Sequence, residues 1–378
     1  MAKSPSVHFR AERDAPFFQV LKARVRAYVT QQPAGRSSGR RGAGKALVCF
    51  AILLLPYGLL LSRPLPFWAQ APLWMIMGLG MALVGANVMH EACHGAWSRH
   101  RGLNALASLS AYLLGADKLV WQTSHNILHH RYTNIPGHDI DLDAGKGILR
   151  FSPETPWRPL HRWQHLCAFA LYSLLTLTWV LLTDYLKQRR FAAEGLFYQK
   201  QTHLPQIWAR LIFYKIVAYF IWLVIPLWLM PAPAWQTLAG FLLMHLVAGT
   251  LLTLIFQLAH LTPVNAMPVP DAEGGIDQGW AGHQLHTTAN WAMHSPLLNW
   301  ACGGLNFQIE HHLFPYIRHV HYPELAPIVQ QTAEEYGLPY YAYDTLGQAL
   351  RAHYQHLRLM GRRPAEQAVR SEMPPPPD

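Results

Sequence analysis

The chain has 378 residues, 51% of them hydrophobic and only 14% charged, more apolar material than a soluble domain of this length needs, so an integral membrane protein is expected. Lys plus Arg exceed Asp plus Glu by ten, but the basic residues gather beside apolar runs rather than in patches interleaved with aromatics, which argues for membrane topology and against a nucleic-acid partner. The four cysteines, Cys49, Cys93, Cys167 and Cys302, form no C-x-x-C pair, which implies no disulfide framework and fits a reducing compartment.

Residues 1–44 carry Glu12, Arg13 and Asp14 ahead of any apolar run, unlike a cleaved signal peptide. Phe17, Phe18, Val20, Leu21, Val25 and Val29, set against Lys22, Arg24 and Arg26, predict a short amphipathic helix, either lying on a membrane surface or packed on the protein body. A Gly/Ser/Arg linker with Arg36, Arg40, Arg41 and Lys45 follows, and the positive-inside rule puts this end in the cytoplasm. Residues 46–62 and 73–89 are the first two predicted spans, near the lower length limit of about 17 residues. The turn Arg63-Pro64-Leu65-Pro66 joins them into a hairpin. At about 1.5 Å per residue, the second span runs on into His90-Glu91-Ala92-Cys93-His94 within a turn of the hydrocarbon boundary.

Next come Ser124-His125-Asn126-Ile127-Leu128-His129-His130-Arg131 and then Asp139, Asp141 and Asp143. The apolar stretch 166–183 is long enough to cross the bilayer by hydropathy alone. A crossing there would put Lys187, Arg189, Arg190 and Lys200 outside and carry the later histidines to the wrong side, so an interfacial helix or a dip is expected instead. Residues 211–230 and 235–257 form a second hairpin about the uncharged turn Pro231-Ala232-Pro233, with Lys215 early enough in its helix to snorkel to the cytoplasmic side. The last span, like the second, ends on a histidine, His260, so two hairpins each deliver a histidine to one surface. From Leu261 the chain is polar and rich in histidine as far as Gln308-Ile309-Glu310-His311-His312, and 361–378, with Pro374 to Pro377, reads as a disordered tail.

Read as helix, His90 with His94, His125 with His129, and Gln308 with His311 and His312 are three or four residues apart, and each set projects from one face as a metal half-site. Imidazole suits zinc, copper, iron and nickel, yet a catalytic zinc keeps only about three protein ligands, so seven clustered histidines are too many for one such ion. Two redox metals with nitrogen ligands point to activation of dioxygen rather than hydrolysis. A metal transporter needs polar ligands deep in the bilayer, whereas only His245 falls well inside a predicted span.

These three clusters, H-x-x-x-H, H-x-x-x-H-H and Q-x-x-H-H, resemble the histidine boxes of the integral-membrane fatty acid desaturases. Trp121 before the second box, Tyr132-Thr133-Asn134 and Gly137-His138-Asp139 after it, and Gly303-Gly304-Leu305-Asn306-Phe307 leading into Gln308-Ile309-Glu310-His311-His312-Leu313-Phe314-Pro315 are similar to the linoleoyl-type and front-end branch, over residues 45–345. The resemblance implies an all-α integral membrane protein: four spans in two transmembrane hairpins within a desaturase domain at 45–360, and a cytoplasmic helical cap holding a dimetal site. N-terminus, C-terminus and active site would all be cytoplasmic. It further implies two non-haem iron ions held by His90, His94, His125, His129, His130, His260, His311 and His312, with dioxygen as co-substrate. His260, in Phe256-Gln257-Leu258-Ala259-His260, matches a position where the family carries an extra ligand. Gln308 stands where many members have His and is expected to be either a weak ligand or a group orienting water or substrate.

Ligating imidazoles usually donate their second N–H to a carboxylate or carbonyl, and Glu91, Asn134, Asp139 and Glu310 are the candidates for that role. The other histidines, His283 and His286 among them, are expected to be structural or interfacial. The implied reaction removes two hydrogens from an acyl chain carried on coenzyme A, acyl carrier protein or a lipid, giving a cis double bond. The string His-Pro-Gly-Gly that marks the family's fused cytochrome b5 module does not occur, so electrons are expected from a separate donor such as ferredoxin or cytochrome b5. A hydroxylase or ketolase with the same metal chemistry is the alternative. The acyl chain is expected in an apolar tunnel lined by Trp121, Trp280, Trp291, Trp300 and Phe307, unless these form the membrane's aromatic belt.

Overall fold

The computed structural model describes residues 7–10, 14–32, 39–140, 147–196 and 203–364. The linker at Arg36, Asp141 and Asp143, Lys200 and the tail beyond Pro364 lie outside these residues. Four of the described helices are long and apolar enough to cross a membrane: Gly42–Ser62, Phe67–Cys93, Leu204–Leu229 and Ala234–His260. They pair as the two hairpins hydropathy predicts. The second starts earlier than expected because Pro66 caps it and Pro72 is absorbed inside the helix, where a proline costs a backbone hydrogen bond without ending the segment.

The second span is the centre of the bundle. Its most apolar window is 72% buried, against 28% for the first and third spans. It packs between the first and fourth spans, and glycines permit that approach: a Cβ on Gly78 would strike the carbonyl of Met244, and one on Gly80 the backbone of Leu53. Within a bilayer, apolar side chains gain little by leaving lipid, so close backbone packing of this kind carries helix association. Leu47, Leu55, Phe213, Ile216 and Trp228 on the first and third spans stay exposed, as side chains that face lipid do.

The stretch 166–183 is not one straight helix. Pro159–Tyr172 and Leu175–Glu194 meet at 69°. Both limbs end at the histidine-bearing end of the bundle: Gln164 Nε2 donates to Leu357 O at 2.8 Å, and the Asp117 amide donates to Asp184 Oδ2 at 2.6 Å. The bend itself rests on the middle of the fourth span, where Thr176 Oγ1 donates to His245 O at 2.9 Å and Thr253 Oγ1 to Tyr172 O at 3.1 Å. A Cβ on Gly249 would collide with the carbonyl of Ser173. His245 lies fifteen residues before His260, roughly 22 Å at about 1.5 Å per residue. The two limbs therefore meet partway along the fourth span and run from there to the histidine-bearing end.

Short helices cap this end. Trp280–Thr287 and Gln308–Leu313 pack together, and Leu346–Met360 packs on the end of the fourth span and on Gln164–Tyr172, His353 Nδ1 bonding Leu261 O at 2.8 Å. The amphipathic helix Ala15–Gln31 buries Phe17, Leu21 and Val25 against Tyr322–Glu335, and Arg24 pairs with Glu335 at 2.7 Å, so it is packed on the body. Two parallel ladders of two residues per strand, His8–Phe9 with Gly275–Ile276 and Asn290–Trp291 with Ala342–Tyr343, tie distant parts of the otherwise helical cap.

Candidate metal centre

The second span does not reach the first box as plain α-helix. Gly85–Met89 forms a π-helical turn, and the second box lies in another, Thr123–His129. Such widened turns recur at functional sites because they re-aim side chains. The consequence is that the boxes are not separate half-sites. His90, His94, His125 and His311 bring ligand nitrogens within 4.8 Å of one another, and His129, His260 and His312 form a second group by the same measure. His125 and His129, expected on one face, thus serve different groups. His311 and His312, about 100° apart around a helix, divide the same way. His130 stands between the groups: its Nε2 is 3.3 Å from His125 Nε2, and its ring stacks on His312 with centroids 4.4 Å apart.

Four separate stretches of chain therefore converge on one place. His94 is half-buried and the other seven histidines are buried. Burial, reinforced by neighbouring imidazoles, holds His94, His125, His130, His311 and His312 well below the usual imidazole range, so at neutral pH each offers a lone pair rather than a charge. His90 Nε2 lies 2.9 Å from His125 Nε2, while the Nε2 atoms of His94, His311 and His312 are buried with no hydrogen-bond partner among the described residues. Neutral imidazoles have too few protons to satisfy one another in this packing. A cation accepting the lone pairs resolves the deficit, and nitrogen donors in groups of four and three suit two transition-metal ions.

The surrounding residues divide into those that touch the imidazoles and those that do not. Asp139 accepts from His129 Nδ1 at 3.1 Å and from the Asn134 backbone amide at 2.9 Å, a contact that fixes which ring nitrogen of His129 carries the proton. Gln308 Nε2 faces His260 Nε2 at 3.1 Å, and its Oε1 is buried without a partner, so rotation of the amide would present oxygen to the same spot. Asn134 touches no ring. In the left-handed conformation, φ 58°, it donates to the carbonyls of His260 at 2.9 Å and Thr287 at 3.3 Å and so anchors the end of the fourth span. Glu91 is turned away from both groups: it accepts from the His319 amide and from His319 Nδ1, at 2.9 and 2.8 Å. Glu310 is also turned away, holding Asn290 at 2.8 Å and Tyr340 at 2.9 Å, and burial pushes its carboxyl up to about 7.

Sequence reasoning missed Gln284, which accepts from His312 Nδ1 at 2.8 Å and from Thr133 Oγ1 at 3.0 Å, and Tyr322, whose hydroxyl is 3.3 Å from His311 Nδ1. The signal for Gln284 was its place between His283 and His286. Neither of those rings joins a group: His283 packs against Phe9 and His286 bonds Gly282 O.

An apolar cavity of about 300 Å³ reaches His125 between Trp121, Tyr172, Leu175, Trp179 and Phe256. Of the aromatics expected to line a tunnel, only Trp121 does so. Trp280 donates to His130 O at 3.0 Å, Trp291 and Phe307 are packed in the cap, and Trp300 lies beside Lys45.

A family model described as fatty acid desaturase matches residues 66–344. The chain is 32% identical to the sn-1 linoleoyl-lipid 6-desaturase of Synechocystis sp., over 92% of this chain and 96% of that one. It is 30% identical to the enzyme of the same name from Arthrospira platensis, over 93% and 95%. It is also 30% identical to the acyl-lipid (8-3)-desaturase of Physcomitrium patens, over 95% of this chain and 74% of the moss protein.

Proposed function

Because this chain belongs to the fatty acid desaturase family, we propose that it is a membrane acyl-lipid desaturase that introduces a cis double bond into a fatty acyl chain. The observation that carries this reading is that two groups of clustered histidines open through His125 onto a largely apolar cavity. In the balanced reaction, two hydrogens of the acyl chain, two electrons and two protons combine with dioxygen to give two waters. Two iron ions, when bound, supply an oxidant strong enough for an unactivated C–H bond, which no side chain provides.

His90, His94, His125 and His311 would hold one ion and His129, His260 and His312 the other, with His130 between them and Gln308 beside the second. Asp139, Gln284 and Tyr322 fix the rings of His129, His312 and His311 through their Nδ1 atoms, which turns Nε2 inward. Trp121, Tyr172, Leu175 and Phe256 would hold a run of methylenes against His125 and keep water out. The relatives are lipid desaturases by name, which favours a lipid-borne acyl chain over coenzyme A or acyl carrier protein.

The histidine-bearing end and both termini face the cytoplasm in this reading, with a separate protein donating electrons. Lys45, Lys187 and Arg189 flank that end, whereas the two outer turns carry only Arg63. Residues 45–360 form the desaturase domain, preceded by the amphipathic segment and basic linker of 1–44. The test is expression in a host supplied with defined unsaturated fatty acids, followed by mass spectrometry of its lipids. The expected product is two hydrogens lighter, with one new double bond. A product heavier by one oxygen would replace this reading with hydroxylation.

A further inference from the structure

The histidine centre has a second approach besides the apolar cavity. A surface groove of about 980 Å³ opens between the amphipathic helix Ala15–Gln31, the loop that follows His94, and the segment that follows His312. Its rim carries Lys22, Arg26, Arg99 and Arg101, Arg318 lies buried at its inner end, and no Asp or Glu among the described residues lines it. Its floor is apolar and includes Val25, Val29, Phe314 and Ile317. The floor lies next to the first histidine group in two ways. Gly95 and Ala96 directly follow His94, and Arg318 precedes His319, which holds Glu91 at 2.8 Å in the helix turn between His90 and His94. Arg318 Nε is itself 3.9 Å from Glu91 Oε2. None of these residues lines the acyl cavity, so the two openings are separate.

We propose that this basic groove is the docking site of the electron donor, a small one-electron carrier protein with an acidic face. The inference rests on the desaturase reading, because that reaction consumes two electrons per double bond. Two reduced carrier molecules, docking in succession, each give up one electron at the groove and leave oxidised. An apolar floor inside a charged rim is the anatomy of a protein interface, and a concave face bearing one sign of charge focuses the field on a partner of the opposite sign. Charge also separates this occupant from the acyl substrate, whose cavity is lined mostly by apolar side chains and carries one acidic and one basic residue, Asp184 and Lys187, rather than a run of basic ones.

The test is binding of oxidised plant-type ferredoxin, an acidic carrier, to the detergent-purified full chain by surface plasmon resonance, so that no turnover is needed. Affinity for the unmodified chain is expected to fall steeply with salt, because rim charges act mainly on association. The triple variant R26E/R99E/R101E is expected to bind about tenfold or more weakly, the milder R26Q/R99Q/R101Q to lie between, and the control Arg189→Glu, on the helix Leu175–Glu194, to bind as the parent does. Affinity independent of salt, or unchanged in both triple variants, would overturn the proposal. So would a triple variant that keeps ferredoxin but loses co-purifying phosphatidylglycerol, which would make the groove a lipid headgroup site. Failure of the desaturase reading shows elsewhere, as no new double bond in lipids when the iron-loaded chain is reduced with dithionite in place of a carrier, freed of excess reductant and then given dioxygen.

Discussion

His129 owes its orientation to Asp139, whose carboxylate grips Nδ1 and at the same time holds the turn at Asn134. Loss of such a partner typically costs about 10–100-fold in metal affinity. Asp139→Asn is accordingly expected to lower iron affinity by about that factor, measured by competition with a chelator, while the protein still inserts in membranes. Glu91→Gln is the contrast: the carboxylate holds His319 and neither histidine group, so iron affinity should change far less than in Asp139→Asn. His129→Ala is expected to abolish product in the fatty-acid feeding assay with membrane insertion intact; substantial desaturation by that variant would remove His129 from the site. That these histidines gather in one place was legible in the sequence because three boxes share one helical spacing. Their partition was not, since it depends on π-helical turns that no residue pattern announces, and Gln284 reaches His312 only because segments 28 residues apart are packed together.

The four spans were legible because hydropathy measures what a lipid-facing helix requires. The bend within 166–183 was not legible, because hydropathy has no direction and the place of the bend is set by Gly249, Thr253 and His245 on the fourth span, whose contacts are tertiary. The second limb is fastened by a buried ion pair. Lys215 Nζ donates to Asp184 Oδ2 at 2.7 Å and to the carbonyls of Gly115 and Trp179, both at 2.6 Å. Lys215 was expected to snorkel and instead is buried, because this limb brings it a carboxylate. Removing one member of such a pair strands the other, at a cost of about 3–5 kcal/mol, whereas replacing both with apolar residues is often nearly neutral. Lys215→Met and Asp184→Leu should each lower the thermal midpoint in detergent markedly, and the double variant should recover most of the loss. Additive losses in the double variant would show that the two residues act independently.

For the molecule as a whole, the fold gathers uncharged imidazoles in one buried place, and this sets its response to acid. Burial holds His94, His125, His130, His311 and His312 below the usual imidazole value of about 6.5. Between that value and their lowered folded-state values, the unfolded chain binds more protons than the folded chain, so stability rises with pH and is lost as pH falls through this window. The thermal midpoint of metal-free protein is therefore expected to drop on acidification from about pH 7 to about pH 5, and bound metal, which also needs neutral imidazole, adds in the same direction. A midpoint that is constant or rises on acidification would contradict this electrostatic picture.

The central claim is that the two groups of histidines hold two iron ions on which desaturation depends. Iron per chain, determined by plasma emission spectrometry on purified protein together with its turnover, tests that claim most directly. The expected result is two irons per chain in active protein, with activity lost as either is removed and regained on reloading with ferrous iron. Full activity from protein that holds no iron, or one ion per chain, would contradict it.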